Sequence, residues 1–313
     1  MLSRTADHLY WMARYIERAE NMARILDVTH NMSLVPNAAD SEAALWTPAL
    51  EISGTIDVFE AEYDEYTASN VIQFLAMGEK NPSSIYNCLY HARENARSVR
   101  VALTTETWEN INTLWLEFSQ FFGKDFSKGG LHEFCDWVKS RSHLFRGVSF
   151  GTMLRDDAFR FVRLGTFMER ADNTARILDV KYHLLLTDGE EVTSTVDYYE
   201  WSALLRSVSA FQAYQKVFSD SIEPARVAEL LILREDMPRS LHACYGEITT
   251  ILDQLVGRRD NECRRLAGEL HARMHYGKMS EIYKEGLHEF LGAFIRANNQ
   301  LGIEMQRSFI NAH

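Results

Sequence analysis

The sequence has few of the residues that interrupt regular structure. Only 5 of its 313 residues are proline and 16 are glycine, whereas 46% are apolar. This composition excludes a disordered or collagen-like chain. No apolar run reaches membrane-spanning length, and the first residues carry charges throughout instead of a signal-peptide core. We therefore expect a cytoplasmic protein that does not enter the membrane.

The sequence also has fewer basic than acidic side chains. Lys and Arg total 33 against 44 Asp and Glu, which gives a formal net charge of -11. Because nucleic acids and anionic membranes attract proteins through phosphate charge, we expect neither as the main partner. The four cysteines show no Cys-x-x-Cys spacing. This is typical of a reduced compartment, and we interpret Cys88 and Cys244 as buried structural thiols.

What the sequence does contain is an internal repeat. Residues 15–28 and 167–180 are identical at ten of fourteen positions, at an offset of 152. Two further motifs recur in the same order at an offset of 156: Gly-Leu-His-Glu-Phe at 130–134 and 286–290, and Pro-x-Ser-x-x-x-Cys at 82–88 and 238–244. This arrangement predicts a tandem duplication of a unit of about 150 residues, too long for a solenoid repeat.

The periodicity of the chain is helical almost throughout. Helices are predicted at about 9–28, 157–186, 44–64, 68–78, 82–103, 106–122, 129–146, 195–218, 223–234, 238–257, 259–275 and 279–310, with Pro82 and Pro238 in first turns and a break at 147–152. No alternating strand pattern is evident. We expect an all-α fold of two helical bundles, residues 1–150 and 151–313, related by pseudo-twofold or similar symmetry.

The charged face of the repeated helix is preserved in both copies. Its members, first in one copy and then in the other, are Glu17, Arg18, Asn21, Arg24 and Asp27, and Glu169, Arg170, Asn173, Arg176 and Asp179. A solvated face would drift, because surface substitutions cost little. Two interpretations remain open: a buried network of ion pairs, or a ligand or catalytic site.

A second candidate site occurs in the first half alone. Arg93, Arg97 and Arg100 are spaced to share one helix face, with Glu94 and Asn95 beside them. The corresponding helix of the second half has none of these arginines. Guanidinium groups clamp carboxylate or phosphate with two bonds, so the stripe predicts an anion site. The alternative is pairing with carboxylates of neighbouring helices.

Metal and nucleotide chemistry have weaker support. His271 and His275 are four residues apart on a predicted helix and supply half a metal site, but the sequence shows no third ligand. A di-iron bundle needs two Glu-x-x-His motifs, and only one, from Glu285 to His288, is present. No phosphate-cradling glycine loop occurs, so a partner would bind any ATP used. We predict no metal and no cofactor.

Three segments resemble a known family. They are LSRTADHLYWMARYIERAENMARILDV near the start, ENARSVR followed by Trp108 and Asn112, and the run from Gly151 to Tyr182. They are similar to the bacterial alpha-E domains, an all-helical family named for a recurring glutamate, which Glu17 and Glu169 match. Family genes lie beside those of ATP-grasp ligases, transglutaminase-like proteins and proteasome-like peptidases.

The resemblance implies a part in making or attaching peptide or amide linkages, with an ATP-grasp-type ligase as partner and possible contact with a peptidase. On this hypothesis, an anionic small molecule or peptide binds the arginine stripe together with Asn21, Arg24, Asn173 and Arg176. Glu17 and Glu169 would then be acid/base or positioning carboxylates. The alternative is a scaffold without chemistry that docks the ligase or peptidase.

Overall fold

The fold of the described chain is entirely helical. The structure, a computed structural model, describes residues 3–35, 41–126, 129–186, 195–219, 221–257 and 261–310, and these contain no strand. The helices are α1 Ser3–Ser33, α2 Glu42–Ser53, α3 Ile56–Glu60, α4 Ala68–Met77, α5 Ile85–Ser98, α6 Thr105–Phe118, α7 Leu131–Thr152, α8 Asp157–Leu186, α9 Thr195–Ser207, α10 Phe211–Phe218, α11 Pro224–Ile232, α12 Leu241–Val256, α13 Glu262–His275, α14 Met279–Glu285 and α15 Leu287–Met305. Within the described ranges, no helix is long and apolar enough to cross a bilayer. The all-α prediction is confirmed.

The chain divides into two compact units, Met1–Thr166 and Phe167–His313, here called unit 1 and unit 2. The division falls inside α8. The boundary predicted from the repeats, between residues 150 and 151, lies earlier, inside α7. The extent of the repeats therefore stays a prediction, whereas the predicted helix at 157–186 is confirmed in α8. Its predicted end at Thr187, Asp188 and Gly189 lies outside the described residues.

Helix α1 is the centre of unit 1. It packs against α2, α4, α5 and α7. Its apolar side chains Leu9, Met12 and Leu26 are fully buried, as its periodicity predicts. The opposite, charged face is also largely buried, because α7 covers it. A helix enclosed on several sides must satisfy its polar groups internally, which determines the charged contacts described below.

In unit 2, α12 packs against α13, and α13 packs against α15. Helix α15 lies along α8, since Asn298 on α15 reaches the main-chain oxygen of Met168 on α8 at 3.5 Å. Helix α11 contacts α12 and α14. This packing brings side chains of α8, α12 and α13 together.

The repeated Pro-x-Ser-x-x-x-Cys motif marks the start of a helix in each unit. The hydroxyl oxygens of Ser84 and Ser240 accept hydrogen bonds from the third main-chain NH beyond them, at 3.1 and 2.9 Å, and so cap α5 and α12. Cys88 and Cys244, one turn later, are fully buried as predicted. The prolines precede the capping serines, so the prediction that they lie within first turns was wrong.

Three predicted helices are interrupted in the structure. Gly54, Ser209 and Gly286 have φ values of 67°, 55° and 103°, which a right-handed helix cannot contain. They divide the predicted helices at 44–64, 195–218 and 279–310. The predicted break at 147–152 was also wrong, because α7 continues to Thr152. A helix accepts glycine at a modest cost, so glycine alone does not end it.

One glycine permits a close helix contact within unit 1. A Cβ atom added to Gly165 on α8 would lie 2.2 Å from the main-chain oxygen of Tyr10 on α1. No larger residue fits without separating the backbones. The contact holds the first half of α8 against α1.

Candidate functional site

The charged face of α1 forms a closed network with α7. Arg146 Nη1 donates to Glu17 Oε2 at 2.8 Å and to Glu20 Oε2 at 2.5 Å. Ser142 donates to Glu20 at 2.7 Å, and Arg24 donates to the other Glu20 oxygen at 2.9 Å. Glu17 is 1% exposed. An acid/base group must reach a substrate proton, so these contacts favour the structural interpretation of this face.

The corresponding face of α8 has a related pattern. Asp172 accepts from Arg176 at 2.6 Å and lies 3.5 Å from the side-chain nitrogen of Asn298. At the repeat offsets, Asp172 corresponds to Glu20 and Asn298 to Ser142. The position of Arg146 corresponds to Gly302, which has no side chain. Glu169 is buried, but it lacks this counterpart of the arginine that binds Glu17.

The repeated asparagines are both buried. Asn21 is 2% exposed and Asn173 is 9% exposed. The Nδ2 atom of Asn173 makes no hydrogen bond to any of the described residues. The burial of both side chains agrees with the interpretation of this face as a buried polar network, although Asn173 Nδ2 takes no part in it.

The repeated aspartate and histidine meet in each unit. The distance from His132 Nδ1 to Asp27 Oδ1 is 2.7 Å, as is the distance from His288 Nδ1 to Asp179 Oδ1. In unit 1, Lys139 also binds Asp27, at 2.7 Å. The hydrogen bond and charge of Asp27 raise the pKa of His132 above its ordinary value. The histidines of Gly-Leu-His-Glu-Phe therefore join helices as well as starting them.

Arg93 and Arg97 of the arginine stripe form hydrogen bonds with other side chains of unit 1. Glu94 accepts from Arg93 at 3.0 Å and from Arg97 at 2.5 Å. Arg93 also donates to Asn112 at 3.0 Å. Helix α5 ends at Ser98, so Arg100 belongs to the following 3₁₀ turn rather than to the same helix face.

The remaining members of this predicted site have other local contacts. Arg100 lies over the ring of Trp108, with 5.3 Å between its guanidinium carbon and the ring centroid. Asn95 Oδ1 lies 2.7 Å from His8 Nδ1. The candidate residues of the first half therefore contact one another and side chains of α1 and α6. The side chain of Arg97 is nevertheless 65% exposed.

A cavity of about 630 Å³ opens in unit 2 between α8, α12 and the segment before α12. Its walls include Phe167 and Arg170 from the repeated helix, with the Arg170 guanidinium 5.4 Å from the Phe167 ring centre. Glu235 and Glu247 supply negative charge. The volume is within the range of small-molecule sites.

Three histidines meet beside this cavity, and two of them, His242 and His271, line its wall. His242 from α12 is buried, while His271 and His275 from α13 are half-buried and exposed. The ring centroid of His242 lies 5.3 Å from that of His271 and 5.2 Å from that of His275. Burial, with the charges of the other two imidazoles, lowers the pKa of His271 below its ordinary value. This favours neutral imidazole, the form that binds metal ions.

At the sequence offset of the repeat, residues of the cavity match residues of an aromatic cluster in unit 1. At the offset of 156, His242 and His271 correspond to Tyr86 and Trp115, whose ring centroids are 5.7 Å apart. Gly246, on the cavity wall, corresponds to Tyr90. At this position, therefore, unit 1 has the aromatic ring of Tyr90, whereas unit 2 has a glycine without a side chain.

Comparison with known families agrees with the helical fold and with the importance of its Glu-Arg dipeptide. The chain matches, over residues 1–310, a family model described as Alpha-E, a predicted alpha-helical domain with a conserved ER motif. The chain belongs to the Alpha-E family. No significant match was found among curated proteins or solved structures.

The ER motif of the Alpha-E family is a Glu-Arg dipeptide. This dipeptide occurs twice in the chain, at residues 17–18 and 169–170. In unit 1 its glutamate joins the closed network through Arg146. In unit 2 its arginine, Arg170, lines the cavity. The same dipeptide thus lies beside a packed surface in one unit and beside a cavity in the other.

His242 is the site residue that sequence reasoning missed in this Alpha-E chain. A signal for it was present, because His242 and His275 lie almost equally far from the connection between α12 and α13. In an antiparallel helix pair such positions face each other. The pattern becomes evident only after the two helices are assigned as neighbours.

Proposed function

We propose that this Alpha-E chain arose by tandem duplication and acts as a binding and docking component of a bacterial peptide- or amide-ligation system. Its ligand would occupy the cavity of unit 2. The observation that carries the proposal is this cavity, walled by Arg170 of the Glu-Arg dipeptide. Unit 1 would supply structure at the corresponding place.

Duplication is supported by similar side-chain contacts in the two units as well as by their repeated sequence motifs. The Asp27–His132 and Asp179–His288 pairs have the same 2.7 Å separation. Ser84 and Ser240 cap corresponding helices. Such agreement of cap and interhelical pair follows directly from one ancestral unit copied once.

The charges of the cavity favour a ligand that carries both signs. The positive charge of Arg170 would attract a carboxylate, while the negative charges of Glu235, Asp236 and Glu247 favour an ammonium group. A simple polyanion such as ATP would meet both glutamates. The ligand class we propose is therefore an amino acid or short peptide with free termini, which also fits a ligation system.

The partner proposal rests on the family resemblance. An ATP-grasp-type ligase would bind the ATP and activate the carboxylate, and a transglutaminase-like or proteasome-like peptidase is a further candidate partner. The second candidate function is a scaffold with no ligand. The closed network of Glu17, Glu20 and Arg146 favours it for unit 1, because buried ion pairs fix geometry.

The ligand proposal is tested by calorimetry on the full chain in buffer containing EDTA. The probes are glutamyl-glycine, its N-acetylated form without the ammonium group, and its C-terminal amide without the carboxylate, with ATP as a comparison. We expect binding of the free dipeptide and at least about tenfold weaker binding of each blocked form, because each loses a charge-assisted bond.

Bulky substitutions locate the site. Thr250→Trp, at the exposed edge of the cavity, should abolish dipeptide binding, whereas Asn299→Trp, exposed on α15 and away from the cavity, should not. Equal binding by both variants would refute the assigned site. If no dipeptide binds while the ligase co-purifies with the chain from its native host, the scaffold function replaces the binding function.

A further inference from the structure

The histidine cluster of unit 2 has the composition of a metal site. His242, His271 and His275 each place a ring nitrogen within 4.8 Å of the other two. Histidines four residues apart on a helix share one face, and three imidazoles with an open fourth position form the ligand set of catalytic zinc centres.

The geometry of His242 prepares it for this role. Its Nδ1–H donates to the main-chain oxygen of Leu233 at 2.8 Å. This bond fixes the tautomer and turns the lone pair of Nε2 toward His275, whose Nδ1 lies 3.2 Å away. Metal-binding histidines commonly have their other ring nitrogen held by a carbonyl in this way.

The separation of these two nitrogens also fits. With zinc–nitrogen bonds of about 2.0–2.1 Å, two ligands of a tetrahedral ion lie about 3.3 Å apart. The other separations are at most 4.8 Å. Because His271 is half-buried and His275 is exposed, small side-chain rotations bring all three nitrogens to one ion.

The packing of the fold does not require histidine at these positions. In unit 1, Tyr86 and Trp115 occupy the positions that correspond to His242 and His271, and their rings pack together. In unit 2, His242 and His271 instead line a cavity, and His275 lies beside them. Three polar rings gathered next to a cavity are better explained by a ligand than by packing.

A second cluster in the described chain, Asp27, His132 and Asp136, is a poorer candidate. Lys139 already places its ammonium nitrogen 2.7 Å from Asp27 and 2.6 Å from Asp136. The positive charge that these carboxylates need is thus supplied by the protein. This cluster provides a control.

We propose that His242, His271 and His275 bind a first-row divalent transition ion, with Zn²⁺ preferred, and leave its fourth position open to the cavity. The site goes beyond the proposed peptide binding and does not depend on it. A carboxylate or amide oxygen of a ligand in the cavity would be able to complete the coordination.

The test uses full-length protein without an affinity tag, treated with EDTA and then dialysed free of it. Titration with ZnCl₂ should give one ion per chain, and Co²⁺ should produce the visible absorption of a tetrahedral centre. His271→Gln and His275→Gln should each weaken Zn²⁺ binding by more than the about 10–100-fold typical of losing an outer-shell partner. The double variant should not bind.

The control variant is His132→Ala, which removes a histidine from the other cluster and should retain full Zn²⁺ affinity. Circular dichroism checks that the variants are folded. Equal Zn²⁺ binding by the wild type and the His271→Gln/His275→Gln variant, absence of binding by the wild type, or loss of binding in His132→Ala would overturn the assignment. Since dipeptide titrations contain EDTA, their outcome is independent of this one.

Discussion

His132 Nδ1 lies 2.7 Å from Asp27 Oδ1 and joins the start of α7 to α1. Asp136 and Lys139 on α7, and Arg24 on α1, are further charged groups near this junction. The imidazole is largely exposed, and its pKa is raised mainly by the hydrogen bond to Asp27 and by the charges of Asp27 and Asp136. Protonation of His132 is therefore linked to folding.

The first prediction concerns pH. A histidine with a raised folded-state pKa stabilises the protein fully below its unfolded-state pKa of about 6.5, and that contribution is lost as pH rises through the folded-state pKa. His132→Ala should therefore lower the melting temperature more at pH 6 than at pH 9. Melting curves across this interval test it, with His30→Ala as a control. A constant difference between wild type and variant would contradict the linkage.

The second prediction concerns the closed network. Arg146→Met leaves Glu17 and Glu20 buried without their shared guanidinium, and should reduce the free energy of unfolding by about 3 kcal/mol. Adding Glu17→Gln and Glu20→Gln should restore part of this loss. Urea unfolding measures both. The exposed Arg265→Met is the control, expected to leave the free energy of unfolding nearly unchanged because surface ion pairs contribute little. A small effect of Arg146→Met would show that the network contributes little.

The third prediction concerns the thiols. All four cysteines are buried, and burial raises the pKa of Cys263 to about 11. Because the thiolate is the reactive form, the cysteines of the native protein should react slowly with an aromatic disulfide reagent at pH 8. In the urea-unfolded chain, all four cysteines should react, and each should release one equivalent of the reagent's thiol chromophore. Rapid labelling of the native protein would contradict their burial.

The fourth prediction concerns the contact of α8 with α1. Gly165→Ala places a methyl group against the Tyr10 carbonyl and should destabilise by about 3 kcal/mol or more. Gly147→Ala and Gly151→Ala, in helical positions with open space around them, should stabilise by about 0.5–1 kcal/mol. Urea unfolding separates the cases. Similar effects at all three positions would exclude the close contact.

The fifth prediction concerns Arg97. Its side chain is 65% exposed and pairs with Glu94, so Arg97→Ala should change the free energy of unfolding by less than about 1 kcal/mol. Ligand titration of the same variant tests the anion site predicted from sequence. Unchanged dipeptide binding would agree with a site in unit 2, whereas its loss would return the ligand to the arginine stripe.

The helices could be predicted from the sequence where the periodicity was strong. The breaks between them could not be predicted reliably. The helix α8 follows from apolar spacing, and its match to α1 was evident from the repeated letters. The interruption at Ser209, with φ of 55°, carries no glycine signal, so neither composition nor periodicity indicates it. Gly147 and Gly151 suggested a break, but the packing of α7 holds them in a helix.

The candidate site was harder to predict than the fold. A buried network was one of two interpretations of the repetition of Glu17 and Asn21, and the contact of Glu17 with Arg146 on α7 favours it. The cavity depends on which helices lie together and on the absence of a ring at Gly246. Neither property is local, since each arises from side chains far apart in the sequence.

Gly165 has a genetic consequence. Every single-base change in a glycine codon that replaces the amino acid introduces a Cβ atom, and at this position a Cβ would lie 2.2 Å from the Tyr10 carbonyl oxygen. All missense alleles one mutation away should therefore destabilise the protein through this steric contact, whatever the polarity of the new side chain. A substitution at Gly165 requires a shift in the path of α1 or of α8, so this codon tolerates mutation less well than those of Gly147 and Gly151.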